Sequence, residues 1–321
     1  VNNKPFKPIS HLKVSKSGIA EGDFVMVAGY PGRTNRLMTY PEIEFDVQIG
    51  FKNSVTYLKD RIDLIRLLVK DDDAKALKYR GSISGAENYY KKISGQINGA
   101  KNFNLLDQEK IKWNKFLTYV EKNGNELQKN ALDALLIITN NIDNDSLNNR
   151  YYGGSTLLDT ASTIYRLAHE KMKPNKDREP GYQERDYERL VNRMRSLEYR
   201  FDKDVDKGIF LFNLNKYREV NQNDRRLIFS KSLKLANGFD DTKSVVDEMY
   251  SFPSSLLNLN KRIDMLDMSL DELNTSNDPF IKLARKIFDE NMELEKLNKA
   301  RSSSLQKNKS IYIRALREFY K

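Results

Sequence analysis

The chain has 321 residues, of which 39% are hydrophobic and 31% are charged, a balance typical of a soluble globular protein with one large or two modest domains. It contains no cysteine, which excludes disulfides, thiol nucleophiles and thiolate metal sites. No apolar run approaches the roughly 18 residues of a membrane span, and the first residues show no export signal. The sequence therefore predicts no membrane-spanning segment.

The net charge is +10, from 55 basic and 45 acidic residues, and a basic excess is common in proteins that bind nucleic acids. Here, however, lysine and arginine alternate with acidic residues, as in YLKDRIDLIRLLVKDDDAK over residues 57–75. Opposite charges three or four residues apart are the ordinary pattern of a solvated helix face. We therefore predict no nucleic-acid partner. A non-enzymatic helical binding module, whose basic surface docks an acidic partner, stays open as an alternative function.

The first 36 residues have the pattern of a β-sheet segment. Leu12 and Val14 alternate with polar residues, and a Gly-Asp turn leads into an apolar strand over residues 24–28 that is closed by Gly29. Two or three short strands do not form an independent domain. We therefore predict that residues 1–36 are the edge of a larger β-domain, most of which lies outside the chain.

From about residue 40 the pattern becomes helical and stays so. Leu58, Ile62, Ile65 and Val69 recur at helical spacing and build one apolar face. Further helices are predicted over residues 105–121, 126–141, 146–172, 183–201, 224–235, 259–266 and 280–320, the last with a break near 301–304. The predicted fold class is mainly α, with a large irregular helical domain over residues 37–321 and a short N-terminal β segment.

The helix predicted for residues 81–100, GSISGAENYYKKISGQINGA, contains four glycines, each of which costs about 1 kcal/mol relative to alanine in a helix interior. At about 100° per residue, the glycines lie on one face together with Asn88 and Lys92. A face without bulky side chains allows either close packing of another helix or close approach of an extended ligand. The pattern alone leaves both interpretations open.

The sequence offers few candidates for a catalytic or metal site. Neither of the two histidines, His11 and His169, has a second ligand at metal-binding spacing. His169 falls near a predicted helix C-terminus, where a partly charged imidazole would suit the helix dipole. No nucleophile elbow of the G-x-S-x-G type occurs, and Gly153-Gly154-Ser155 is a weak candidate for an anion site at a helix N-terminus. We predict no catalytic residue, no metal site and no cofactor within this chain.

Three stretches are more specific. They are EGDFVMVAGYPGRTNR (residues 21–36), GSISGAENYYKK (residues 81–92) and DREPGYQERD (residues 177–186). In this order they resemble the bacterial dipeptidyl-peptidase 7/11 family of serine exopeptidases, and the likeness runs through the whole chain.

The resemblance implies a fold and an activity. Members of that family have a double β-barrel peptidase domain like that of chymotrypsin, with a large helical domain inserted between the barrels. They remove dipeptides from the free N-terminus of peptides and are exported to the periplasm or the cell surface. By this resemblance, residues 37–321 are the helical, substrate-gating domain and residues 1–36 an edge of the peptidase β-barrel. The catalytic triad would then lie outside the chain, and these 321 residues alone are expected to be inactive.

One functional residue carries over from the family to this sequence. Asn88 matches a helical-domain asparagine that binds the terminal amine of the substrate, whereas neither His11 nor His169 matches a triad position. The implied partners are an oligopeptide with a free N-terminus and the remainder of the peptidase domain. A homodimer of the full-length enzyme stays open.

Overall fold

The structure, a computed structural model, describes residues 7–26, 28–29, 35, 37–140 and 150–321. The chain divides into two units, Val1–Leu37 and Met38–Lys321. The second unit is mainly helical, which confirms the predicted fold class in its main feature. It carries every candidate residue named above except His11.

The described residues of the first unit are in turns or bends or have no regular secondary structure, and none of them is in a strand. The amide of Asp23 donates to the carbonyl of Ala20 and closes one turn. The apolar side chains of this unit that the structure describes are largely exposed, among them Ile9, Leu12, Val14, Ile19 and Phe24. A strand needs hydrogen bonds to a neighbouring strand, and the described residues supply none. The predicted β segment is therefore not observed, and Val27 of the predicted strand lies outside the described residues.

Five helices occupy the described residues from 38 to 140. They are α1 (Tyr40–Phe45), α2 (Phe51–Val69), α3 (Asp73–Asn102), α4 (Leu105–Asn123) and α5 (Glu126–Asn140), and a π-helical turn (Asp46–Gly50) joins α1 to α2. The predicted apolar face of α2 is buried in full.

Shorter helices dominate residues 150–321. They are α6 (Thr156–Lys171), α7 (Tyr187–Arg200), α8 (Lys203–Tyr217), α9 (Leu227–Ser232), α10 (Phe239–Ser251), α11 (Leu259–Asp264), α12 (Leu270–Thr275), α13 (Pro279–Lys286) and the long α14 (Phe288–Phe319). Several begin later than predicted. In α6 the reason is local, because Gly153 and Gly154 have φ of 81° and 92°, outside the helical region. The first residues of the helix predicted for 146–172 lie outside the described residues.

Polar residues in front of the helices determine where they begin. The carboxylate of Asp72 accepts from the amide of Lys75 at 3.0 Å and starts α3. Asp278 caps α13 in the same way, with Pro279 at the first helical position. Such caps satisfy amides that have no partner inside the helix, and each is worth about 1 kcal/mol.

The largest hydrophobic core lies among α6 to α13 and the first turn of α14. Its centre is fully buried, with Phe210, Leu214, Phe229 and Phe280 all at 0% exposure. A separate cluster joins α2, α3 and α8. This cluster fixes α3 against the rest of the second unit, and α3 carries the candidate binding residue.

Helix α14 corrects one prediction, because it runs unbroken through residues 301–304. The break lies instead at Ile287, between α13 and α14, where the backbone leaves the helical region and the side chain is 1% exposed. At its far end, Tyr312 and Ala315 pack against Trp113 and Phe116 of α4. Each serine costs only a few tenths of a kcal/mol relative to alanine in a helix. Packing at both ends of α14 therefore outweighs the low helix propensity of the three serines at 302–304.

Candidate peptide-binding face

Helix α3 presents two opposite faces. One is an apolar seam whose residues alternate in steps of three and four and are buried or half-buried: Tyr79, Ile83, Ala86, Tyr90, Ile93, Ile97 and Ala100. This seam packs mainly along α2. The glycine-containing set follows the same spacing two residues later: Gly81, Gly85, Asn88, Lys92, Gly95 and Gly99. Two residues are about 200° around a helix, so the glycine face points away from the packed seam.

The glycine face is open. A Cβ atom placed on any of the four glycines would meet no described atom within 4 Å. The chain does use glycine for close helix packing elsewhere, since a Cβ on Gly208 of α8 would lie 2.6 Å from Cδ1 of Leu68 on α2. Of the two interpretations of the α3 glycines, close packing against another helix is therefore not observed among the described residues.

The four open glycines destabilise α3, and no packing contact on their face among the described residues offsets this. Four glycines in a helix interior cost roughly 4 kcal/mol relative to alanine. The Asp72 cap and the buried seam stabilise α3 enough to tolerate that cost. An open face maintained at this cost is consistent with a role outside the packing of the helical unit.

Asn88 lies in the middle of this face with an exposed carboxamide. Among the described residues its side chain has no hydrogen-bond partner, so its carbonyl oxygen can accept from a ligand. The neighbouring carboxylate of Glu87 is paired with Arg66 of α2 at 2.5 Å. The ammonium of Lys92 lies 5.7 Å from the ring centroid of Tyr89. The face thus offers a neutral acceptor beside charges that already have partners in this helix pair.

The suggested anion site at Gly153-Gly154-Ser155 is already filled from within the chain. The buried carboxylate of Asp206 accepts from the amide of Thr156 at 2.7 Å, from the hydroxyl of Ser155 at 3.1 Å and from the hydroxyl of Tyr250 at 2.6 Å. The pKa of Asp206 is raised overall, because burial raises it by more than the hydrogen bonds from Tyr250, Thr156 and Ser155 lower it. Because an internal carboxylate occupies the N-terminus of α6, the prediction of a site for an external anion there is wrong.

Glycine is required at position 154 for a steric reason. With φ at 92°, a Cβ there would lie 1.9 Å from Nδ2 of the buried Asn213. The loop therefore approaches α8 closely, which brings Asp206 to the start of α6.

His169 is packed rather than poised for chemistry. Its ring stacks on Phe288 with centroids 3.9 Å apart and an interplanar angle of 13°, and Nε2 is buried without a partner among the described residues. Burial lowers the pKa of His169, and Arg166 lowers it further, while Asp289 opposes both. Burial thus disfavours the partly charged imidazole that a position near the helix C-terminus would suit. His11 is exposed in the first unit.

The lowered pKa of His169 predicts that the contribution of this group to stability is lost in mild acid. The unfolded chain, with the ordinary pKa of 6.5, takes up the proton before the folded chain does. The contribution of this group is therefore complete above pH 6.5 and is lost as the pH falls toward the folded-state pKa. Urea unfolding at about pH 7.5 and about pH 5.5 measures this loss. His169→Phe keeps the stacking, so the stability of the parent chain relative to this variant should fall between about pH 7.5 and about pH 5.5; an unchanged difference would contradict the assignment.

The described residues lack two further kinds of feature. They contain no group of three or more histidine, aspartate or glutamate side chains placed to hold a metal ion. Within the same residues, no helix combines the length and apolar character that crossing a membrane requires.

Comparison with known proteins supports the resemblance. The family model for peptidase S46 matches residues 1–321. An Asp/Glu-specific dipeptidyl-peptidase of Shewanella putrefaciens is 32% identical over 323 residues, which cover 100% of this chain and 44% of that protein. A dipeptidyl-peptidase 7 of Porphyromonas endodontalis is 30% identical over 125 residues, which cover 39% of this chain and 15% of that protein.

The fold is also similar to that of a solved structure. The crystal structure of Porphyromonas endodontalis DPP11 matches with a TM-score of 0.61 at 16% identity, over 91% of this chain and 42% of that chain. At this identity the likeness concerns the fold alone. The chain spans less than half the length of the Shewanella relative and of this structure. With the family model matched from the first residue to the last, the chain belongs to the peptidase S46 family.

Proposed function

We propose that this chain is the helical, substrate-binding part of a serine dipeptidyl-peptidase, a hydrolase that removes dipeptides from the free N-terminus of peptides. The observation that carries the proposal is the exposed, unpartnered carboxamide of Asn88 on the open glycine face of α3. Membership of the peptidase S46 family and the names of its relatives support a peptidase reaction.

The chemistry of an exopeptidase explains why such a face is useful. The enzyme must bind a free α-amine, whose pKa is about 7.7 to 8.0, and reject an internal amide. Oxygen acceptors select the ammonium, because it donates three hydrogen bonds and an acylated nitrogen does not. Asn88 supplies one acceptor, and the cleared face leaves room for the peptide backbone. The other acceptors would come from the remainder of the enzyme.

Residues 1–36 are assigned in this proposal to the edge of the peptidase β-barrel. Their exposed apolar side chains support it, since Leu12 and Phe24 are 94% and 91% exposed and would be covered by neighbouring strands. An edge strand of this kind forms when its amides and carbonyls bond to those of a neighbouring strand.

The catalytic triad is assigned to the parts of the enzyme outside this chain. There a serine would attack the peptide carbonyl and form an acyl-enzyme, with the oxyanion held by fixed donors. A catalytic histidine acts first as a general base and then as a general acid. The packed imidazole of His169 and the exposed His11 suit neither of these roles. Location in the periplasm or at the cell surface is part of the same proposal.

A peptidase assay with two forms of substrate tests the proposal. The full-length enzyme should release the N-terminal dipeptide from a peptide with a free amine and should cleave the N-acetylated peptide poorly, because acetylation removes the ammonium. The 321-residue chain alone should release no dipeptide. Equal cleavage of both peptides would contradict binding of a free N-terminus. Turnover by the isolated chain that survives repurification would place the catalytic residues within it.

A further inference from the structure

A cavity of about 310 Å³ opens beside the short helix α9, on a part of the second unit that the proposed peptidase function does not use. It lies among three short elements: the 3-10 turn Gln222–Asp224, α9 itself, and the 3-10 turn Leu235–Asn237. The side chains that give it its chemistry are Gln222, Arg225, Ser230, Lys231, Lys234 and Asn237.

The lining is basic. It contains one guanidinium and two ammonium groups, from Arg225, Lys231 and Lys234, and no acidic residue. Neither lysine forms an ion pair with any of the described residues. Some other lysines of the described residues do pair with carboxylates, as Lys171 does with Asp267 at 2.9 Å and Lys299 with Glu295 at 2.7 Å. Unpaired cations that share one cavity repel each other, and an anion would relieve that repulsion.

The guanidinium of Arg225 is held in place by the backbone. Its Nε donates to the carbonyl of Val220 at 2.8 Å, and its Nη2 donates to the carbonyl of Arg218 at 3.1 Å. These bonds occupy the Nε–Nη2 edge of the guanidinium and fix its plane. Nη1 and the second hydrogen of Nη2 remain for a ligand, so Arg225 is a fixed cation with one open edge.

Two further features mark the cavity. The hydroxyl oxygen of Ser230 is buried and has no hydrogen-bond partner among the described residues. Lys234 adopts the left-handed conformation, with φ at 52°, which is uncommon for a residue other than glycine. Lys234 directly follows the C-terminal cap of α9, where a left-handed residue is a common way for a helix to end.

We infer that this cavity binds a phosphate group, either as inorganic phosphate or as part of a small phosphorylated molecule. A phosphate carries about −1.5 to −2 charges near neutral pH, which suits three cations. Its tetrahedral oxygens accept from several directions, as separate ammonium, hydroxyl and carboxamide donors require. A carboxylate is a poorer match, because its single negative charge balances only one of the three cations.

Calorimetric titration of the 321-residue chain with inorganic phosphate tests the inference, at an ionic strength kept constant with chloride. We expect saturable binding, and we expect the dissociation constant to rise at least about tenfold when both charge-assisted donors are lost in Lys231→Gln/Lys234→Gln. The matched control is Lys110→Gln/Lys115→Gln, which removes the same charge from two exposed lysines of α4. The control should bind phosphate within about twofold of the parent chain.

Three results would overturn the inference. One is the same phosphate affinity in the Lys231/Lys234 variant and the parent chain, with thermal unfolding showing that both are folded. Another is an equal loss in the α4 control, which would mean that net charge alone attracts the anion. The third is tighter binding of L-aspartate than of phosphate at equal ionic strength, which would assign the cavity to carboxylates. Inorganic phosphate and a phosphorylated sugar, titrated separately, distinguish the free ion from a phosphorylated molecule.

Discussion

Replacing Asn88 with alanine in the full-length enzyme is expected to lower kcat/KM for peptides with a free N-terminus by about 10- to 150-fold. The change removes one acceptor from the bound ammonium, and a hydrogen bond to a charged group is worth roughly 1.5–3 kcal/mol. Because the amine is bound in both the ground state and the transition state, the loss should appear mainly in KM. Folding should change little, since alanine has the higher helix propensity.

The same helix offers a matched control for this variant. Asn98 is also exposed on α3, but it lies about 260° around the helix from Gly81 and therefore off the glycine face. Asn98→Ala should leave kcat/KM within about twofold of the wild-type value, a change of less than half a kcal/mol. If Asn88→Ala has no larger effect than Asn98→Ala, Asn88 does not bind the substrate amine.

The openness of the glycine face can be tested with Gly85→Ala. In the 321-residue chain the added methyl group meets nothing among the described residues, so the variant should be more stable by up to about 1 kcal/mol. In the full-length enzyme the same methyl group narrows the approach to Asn88 and should weaken peptide binding. A loss of stability in the isolated chain would show that the face is packed after all.

The largest effect on folding is expected at Asp206. Asp206→Ala leaves the amide of Thr156 and the hydroxyls of Ser155 and Tyr250 without their shared acceptor in a buried site. The two hydroxyls lie 2.8 Å apart, so one can still donate to the other. Buried donors without partners cost about 1–3 kcal/mol each, so with the amide and one hydroxyl unpaired we expect the free energy of unfolding to fall by roughly 2–6 kcal/mol. Urea unfolding monitored by far-ultraviolet circular dichroism measures it.

Asp204→Ala provides the comparison for Asp206→Ala, because it changes the same residue type in the same first turn of α8. Asp204 is exposed and contacts Lys75 at 3.1 Å, and exposed ion pairs contribute about 0–1 kcal/mol. Equal destabilisation by the two variants would mean that the hydrogen bonds of Asp206 contribute no more than a surface carboxylate does. Asp206→Asn keeps the shape and one acceptor oxygen, so its free energy of unfolding should lie between those of Asp206→Ala and Asp204→Ala.

The sequence by itself determined the features that depend on neighbours along the chain. The apolar period predicted α2 and its buried face, from Leu58 to Val69, and the polar caps mark the starts of helices such as α3. The glycine stripe could be placed on one face, because helix geometry is set by hydrogen bonds between residues four apart. Asn88 came from the resemblance to a family, and not from any physical pattern.

The tertiary structure alone decided what each face meets. It placed the glycine face of α3 opposite the packed seam, whereas the sequence was equally consistent with a buried stripe. It filled the N-terminus of α6 with Asp206, a residue 50 positions away, and it stacked His169 on Phe288 of another helix. It also left the exposed apolar residues of the first unit without strand partners among the described residues. These outcomes depend on contacts between residues far apart in the chain, whose pairing follows from the packing of whole helices and leaves no periodic signal in the local sequence.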